Sequence, residues 1–465
     1  MDFLIVLAAL CFLMFVAYRG YSVILFAPVA ALGAVLLTDP SLVAPMFTGL
    51  FMDKMVGFLK LYFPVFLLGA VFGKVIELSG FSKSIVAATI RLFGAGRAML
   101  SIVAVCALLT YGGVSLFVVV FAVYPFAAEL FRQSHIPKRL IPGTIALGAF
   151  TFTMDALPGT PQIQNIIPTT FFGTDTWAAP ILGTTGGIFI LAVGLAYLDW
   201  RRRAALKAGE GYGDQLVNEP TPFTGGRLAH PAIAIAPLVL VGVANKLLTG
   251  WIPHFYGDSH SFDPAVIGSA TPVVQEVSKV AAIWAVQGAL LLGIATVLVF
   301  AWKPVMATFA EGSKSAIAGA LLAAMNTASE YGFGAVIAAL PGFLVVANAL
   351  SAIPNPLVNE AITVTALAGI TGSASGGMSI ALAAMAETFM ANANAAGIPM
   401  EVLHRVASMA SGGMDTLPHN GAVITLLAVT GLTHRQAYKD IFAITLIKTA
   451  AVFVVIGTFY ATGLV

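Results

Sequence analysis

Apolar residues in this chain neither alternate nor keep to one helical face; they run on, segment after segment, for about the twenty residues a helix needs to cross a bilayer. Such runs lie near 1–18, 21–38, 56–78, 140–170, 177–199, 230–251, 276–302, 316–340, 401–432 and 436–463. Two further stretches, about 97–131 and 356–392, break at a glycine-rich centre. Each arm is too short to cross and return, so both read as re-entrant hairpins. The expected fold is an all-α polytopic membrane protein with about ten transmembrane helices plus two re-entrant hairpins.

Composition strengthens that reading. Of 465 residues, 59% are hydrophobic and 9% charged, with a mean hydropathy of +0.94. A soluble domain carries about a quarter charged residues, so a water-facing surface of this size cannot be covered. The formal net charge of +2 excludes a nucleic-acid partner; the lipid bilayer is the expected surrounding. Cys11 and Cys106 stand apart in apolar runs, so neither redox chemistry nor a zinc site is expected. The run at 3–17 follows Asp2 and lacks a small-residue cleavage site, so it reads as a retained span.

Positive charge orients the spans. Arg19, Lys83, Arg91, Arg97, Arg132, Lys138, Arg139, Arg201, Arg202, Arg203, Lys207, Arg227, Lys303, Lys314, Arg435 and Lys439 all fall on one side if the N-terminus faces out. The flanks of the second hairpin hold no Lys or Arg. The first hairpin is then expected to enter from the cytoplasm and the second from outside, with both termini external. The polar stretch 201–229 reads as a cytoplasmic linker between halves 1–200 and 230–465. The loop 251–271 carries His254, Asp258, His260 and Asp263; a solvated loop is a simpler reading than a metal site.

The two halves echo each other. Gly112-Gly113-Val114-Ser115 is matched by Gly376-Gly377-Met378-Ser379, and Met154-Asp155-Ala156-Leu157-Pro158 by Met414-Asp415-Thr416-Leu417-Pro418. A weaker pair precedes both hairpins, Gly73-Lys74-Val75-Ile76 and Gly334-Ala335-Val336-Ile337. Opposite orientation of the halves predicts two inverted-topology repeats with discontinuous helices, an arrangement whose substrate sites form where the breaks meet. Irregular backbone is tolerated at membrane depth only beside protein or a wet cavity, and glycine and proline supply the breaks.

The candidate chemistry sits at those breaks. A half-helix starting after each glycine pair offers free N–H groups and a positive dipole end to a small organic acid anion. Gly112, Gly113, Ser115, Ser375, Gly376, Gly377 and Ser379 are candidate substrate contacts there, with Ser373 nearby; Gly159, Thr160, Gln162, Gln164, Asn165, His419 and Asn420 supply polar groups at the discontinuities. The serines could equally serve only as caps. Asp155, Asp415 and Glu330 are ionisable groups at membrane depth, candidates to carry a coupling proton or cation, or to hold neighbouring backbone. Glu77, Glu129, Glu360 and Glu387 read as interfacial and solvated. No phosphate loop, His-Glu-x-x-His or Gly-x-Ser-x-Gly motif occurs; an ATP motor and an enzyme are not expected, nor is a cofactor.

The paired Gly-Gly-x-Ser and Met-Asp-x-Leu-Pro motifs, within paired hairpins over essentially the whole chain, resemble the gluconate permease family of the wider ion transporter superfamily, and within it the 3-hydroxybutyrate permeases. The resemblance implies a secondary active transporter of the bacterial inner membrane: a proton-coupled symporter of small hydroxymonocarboxylates, 3-hydroxybutyrate or gluconate-like. It also implies a homodimer moving substrate by an elevator-type motion. The Ser-Asn-Thr signature of the superfamily's sodium-coupled dicarboxylate carriers is absent, which weighs against, without removing, a sodium-coupled alternative. A half-helix channel is the reading from another class.

Overall fold

A computed structural model describes residues 2–19, 21–93, 97–213, 217–220, 228–268, 271–343, 345, 353–418 and 420–465. The chain is helical almost throughout. Helices α1 (Asp2–Tyr18) and α2 (Val23–Thr38) come first, and short 3₁₀, α and π turns of helix from Pro40 run into α3 (Met52–Leu78), with α4 (Phe81–Phe93) after it. A helical hairpin follows, α5 (Ala98–Tyr111) with α6 (Leu116–Gln133). Next stands an interrupted helix, α7 (Ile141–Ala149) and α8 (Ile163–Phe172), and then the long α9 (Pro180–Lys207).

The same succession returns beyond the linker. After α10 (Pro231–Tyr256), the 59-residue α11 (Ala281–Ala339) bends where Ala301 leaves helical geometry. A second hairpin, α12 (Pro356–Thr371) with α13 (Ala374–Ala395), precedes an interrupted helix, α14 (Met400–Ser411) and α15 (Gly421–Thr430), and the long α16 (His434–Thr462). A helical hairpin and an interrupted helix thus occur in each of the two stretches.

Five helical stretches among the described residues are long and apolar enough to span a membrane: Pro40–Leu78, Pro180–Lys207, Pro231–Tyr256, Ala281–Ala339 and His434–Thr462. Leu37, Ile188, Leu247 and Val299 stay exposed on the outside, as side chains facing lipid do. The chain is a multi-pass membrane protein. Three details depart from the sequence reading. The residues 303–315, expected as a loop, are helical, because Pro304 lies in the turn after the Ala301 bend, where its missing N–H costs little. Residues 201–207 continue α9 rather than opening the linker. The loop after α10 contains a small antiparallel ladder, Ser259–Phe262 against Val273–Glu276.

Where the linker is described, it is stapled to both halves. Lys138 Nζ donates to the Val217 carbonyl (2.7 Å), Asn218 Nδ2 to the Ala428 carbonyl and Tyr124 Oη to the Asn218 carbonyl (both 2.8 Å). Arg139 grips Glu210 at 2.6 Å, and that guanidinium holds the Glu210 carboxyl below its usual range. Asp440, buried at the start of α16, accepts from Arg201 (2.6 Å) and Tyr197 (2.8 Å) of α9. The two long helices that close the halves are thereby fastened end to end.

Candidate functional site

The two hairpin turns are built differently. In the first, Gly113 takes φ +97°, a left-handed geometry open to glycine, and Ser115 stands at the N-cap of α6 without a side-chain cap bond. In the second, the turn glycine is Gly372 (φ +66°), and Ser373 caps α13 by accepting from the Gly376 N–H at 3.1 Å. Gly376 and Gly377 are thus not the turn of the second hairpin, as the motif suggested; they belong to the first turn of α13. They are small because neighbours press on them: a Cβ on Gly376 would overlap Glu330 Oε2, and one on Gly377 the backbone of Ala368. The glycine pairs stand 264 residues apart and the Met-Asp-x-Leu-Pro pairs 260. The four-residue excess is about one helical turn, which is how far the second pair has moved past its turn.

Each turn is tied to the neighbouring discontinuity. Tyr111 Oη donates to the Pro158 carbonyl (2.8 Å) and Gln162 Nε2 to the Thr110 carbonyl (2.7 Å). On the other side Asn420 Nδ2 donates to the Gly372 carbonyl (2.8 Å), while its Oδ1 caps α15 at Val423. Within the first discontinuity the polar groups serve the chain itself. Thr160 donates to the Thr153 carbonyl (2.7 Å), Asn165 to the carbonyls of Thr160 (3.0 Å) and Thr176 (2.8 Å), and Asn245 to that of Gly159 (3.1 Å). A side chain at Gly159 would strike Trp177.

Behind the discontinuities lies a buried knot of charge. The Asp155 carbonyl accepts from Ser408 (2.7 Å) and Arg405 Nη1 (3.1 Å). Its carboxylate oxygens have no hydrogen-bond partner among the described residues, and Oδ2 lies so close to Gly412 that a Cβ there would overlap it. Asp415 forms an ion pair with Lys448, which also donates to the Phe150 carbonyl (3.1 Å). Arg405 reaches the Ala178 carbonyl (2.7 Å) and Asn165 Oδ1 (3.0 Å), and His404 bridges Asn165 Oδ1 (3.2 Å) to Thr174 Oγ1 (2.6 Å). His404, Arg405 and Lys448 were not singled out from the sequence. They lie inside the runs 401–432 and 436–463, so the rule that flagged Asp155 as an ionisable group at membrane depth applied to them equally.

A cavity of about 1050 Å³ opens where the turns and discontinuities converge. Gly113 and Ser115 line it from the first turn, and Gly372, Ser373, Ala374 and Ser375 from the second. Gln162 and Gln164 contribute from the first discontinuity, Asp415 and Asn420 from the second, and Glu330 from α11. Of the anticipated site residues, the cavity thus brings together Gly113, Ser115, Gln164, Ser375, Asn420, Asp415 and Glu330. Gly112, Gly159, Thr160, Asn165, Gly376, Gly377, Ser379 and Asp155 are not among its lining, and His419 lies outside the described residues. Glu360, expected at a solvated interface, is instead fully buried, with neither carboxylate oxygen bonded among the described residues.

No family model matches the chain. YxjC of Bacillus subtilis (strain 168), described as an uncharacterized transporter, is 60% identical over 474 residues, with both chains covered in full. Among solved structures, the YdaH transporter of Alcanivorax borkumensis overlays with a TM-score of 0.49 at 15% identity, covering 92% of this chain and 90% of that one. MtrF of Neisseria gonorrhoeae, described with a class of antimetabolite efflux pumps, gives 0.48 at 13% identity, covering 88% and 82%. At that level neither likeness decides fold or function. The identity with YxjC is of another order, and it runs end to end: the chain belongs to the transporter family of which YxjC is a member.

Proposed function

We propose that this protein is a secondary active transporter that takes a small hydroxymonocarboxylate, 3-hydroxybutyrate or a gluconate-like acid, into the cell together with a proton. The observation that carries the proposal is the single cavity on which both hairpin turns and both helix discontinuities converge. Helix interruptions at membrane depth expose backbone N–H and carbonyl groups, which need a ligand or water to meet them. Ser115, Ser375, Gln164 and Asn420 supply hydrogen-bonding groups for hydroxyls and carboxylate, and the free N–H groups at the starts of α6 and α13 supply positive potential. Glu330 carries the coupling proton in this reading.

The repeated succession of elements, with Lys and Arg on one side of the expected layout, supports inverted repeats in a bacterial inner membrane with both termini external. The gluconate-permease resemblance adds a homodimer and an elevator-type motion. A sodium-coupled reading also has an observation behind it: the Asp155 carboxylate, buried and unbonded beside Gly412, is the sort of group a small cation seeks.

Purified protein in proteoliposomes separates these readings. An inward proton gradient without sodium is expected to drive concentrative uptake of D-3-hydroxybutyrate or gluconate, and E330Q to abolish that accumulation. Accumulation that needs a sodium gradient would overturn proton coupling, and equilibration without accumulation would mark a channel.

A further inference from the structure

The helix end that should receive the substrate carboxylate already has a carboxylate against it. Helix α13 starts at Ala374; Ser373 caps the Gly376 N–H, and the Gly377 N–H bonds the Ser373 carbonyl at 2.9 Å. That leaves the N–H groups of Ala374 and Ser375 without an intrahelical partner, as the first turn of any helix must, and both residues line the cavity. Glu330 Oε2 rests on this same turn, in the space where a Gly376 side chain would be. The residue is 2% exposed, and Oε2 has no hydrogen-bond partner among the described residues. One turn earlier on α11, Thr327 Oγ1 meets Ser375 Oγ at 3.1 Å, which holds the two helices in this register. Farther along, a Cβ on Gly334 would press on Ile380, so the close approach extends beyond the contact at Glu330.

We propose that Glu330 and the substrate carboxylate compete for the positive end of α13, so that the anion binds there only after Glu330 has taken up a proton. The inference rests on the reading above, proton-coupled carboxylate uptake, and supplies its coupling step. A half-charge of positive potential at one helix end favours one carboxylate; two in a low-dielectric site repel strongly. Protonation removes the resident charge while leaving the Glu330 side chain in place. The anion then never binds without the proton, which is the coupling that symport demands on the substrate side.

Other titratable groups near Glu330 are otherwise engaged or uncharged. Lys74 pairs with Glu77 (2.7 Å) and Asp415 with Lys448, while Tyr21, Tyr62 and Tyr331 are phenols. Among the described residues, Asp53, Lys54 and Lys60 on α3 and Glu387 on α13 form no ion pair with Glu330.

Binding of D-3-hydroxybutyrate to purified protein, measured from pH 5.5 to 8.5, tests the inference. Linkage to one proton weakens wild-type affinity about tenfold per pH unit on the alkaline side. E330Q, confirmed as folded by its melting curve, is expected to bind with affinity constant within about twofold across that range. G376A, whose methyl displaces Oε2 from the helix end, is expected to blunt the wild-type slope, and it decides the matter should E330Q not fold. A wild-type slope retained in E330Q, or a folded E330Q that binds nothing, overturns the competition while leaving carboxylate transport standing. A wild-type protein that binds neither D-3-hydroxybutyrate nor gluconate nor acetate at any pH overturns both.

Discussion

Lys448 is the side chain on which the buried charge knot depends most, and K448M isolates its contribution. The ammonium is 1% exposed and its partner Asp415 5% exposed, so water cannot replace either. Removing one member of a buried pair costs about 3–5 kcal/mol, since the other charge stays buried without compensation. Here the loss also strips the Phe150 carbonyl of its donor, and Asp155, already unbonded, loses a nearby positive charge. The expected cost is therefore toward the upper part of that range. Adding D415N removes the orphaned charge, and the double variant K448M/D415N should recover about 2 kcal/mol or more relative to K448M alone. Equilibrium unfolding in mixed detergent–SDS micelles, followed by tryptophan fluorescence, gives these free energies. The control is K314M, whose ion pair with Glu311 is exposed and should matter little. A K448M penalty below about 1 kcal/mol, or a D415N penalty that simply adds to it, refutes the reasoning.

Three further variants probe other parts of the structure. E360M replaces a fully buried carboxyl with neither oxygen bonded among the described residues, and the same titration should show stabilisation of about 1–3 kcal/mol; a loss of stability would mean that Glu360 has a partner it needs. G377A places a methyl in the backbone of Ala368, and forcing α12 from α13 should cost about 1–3 kcal/mol, visible as a lower melting temperature; an unchanged melt would show that the hairpin arms are free to part. E210Q tests the linker staple through pH. The Glu210 carboxyl is depressed by Arg139, so its stabilising contribution is present above the ordinary glutamate pKa of about 4.3 and fades as pH falls through the lower folded value. The stability gap between wild type and E210Q should accordingly close as pH drops below about 4.5, and shrink in high salt because the pair is partly exposed. A gap independent of both pH and salt would remove the ion pair from the staple.

Much of the fold was legible because bilayer physics writes it into composition. Apolar runs mark spans, and the helical, multi-pass character of the chain follows from them. The register within the glycine motifs was less legible. Gly376-Gly377 looks like a turn because glycine serves two purposes, positive φ and close packing, and the sequence does not say which. Gly372 makes the turn, while Gly376 gives room to Glu330. Polar candidates were identified as a set, but not sorted. Gln164 and Asn420 line the cavity, whereas Thr160 and Asn165 bond the backbone of their own discontinuity. That division depends on where each side chain points within an irregular loop, which no periodicity describes. Arg405 and Lys448 escaped notice because a single charge scarcely changes the hydropathy of a twenty-residue run.

The central claim is that the cavity bounded by the two hairpin turns holds the substrate carboxylate. Replacing Cys11 and Cys106 and introducing S375C places one thiol on its wall, and the rate of maleimide labelling in membranes reports whether that wall is covered. D-3-hydroxybutyrate or gluconate is expected to slow labelling of S375C at concentrations that support uptake, and to leave a thiol introduced at exposed Leu206, which does not line the cavity, unaffected. Labelling of S375C at an unchanged rate, while the same protein continues to accumulate the acid, would contradict the claim and move the binding site elsewhere in the molecule.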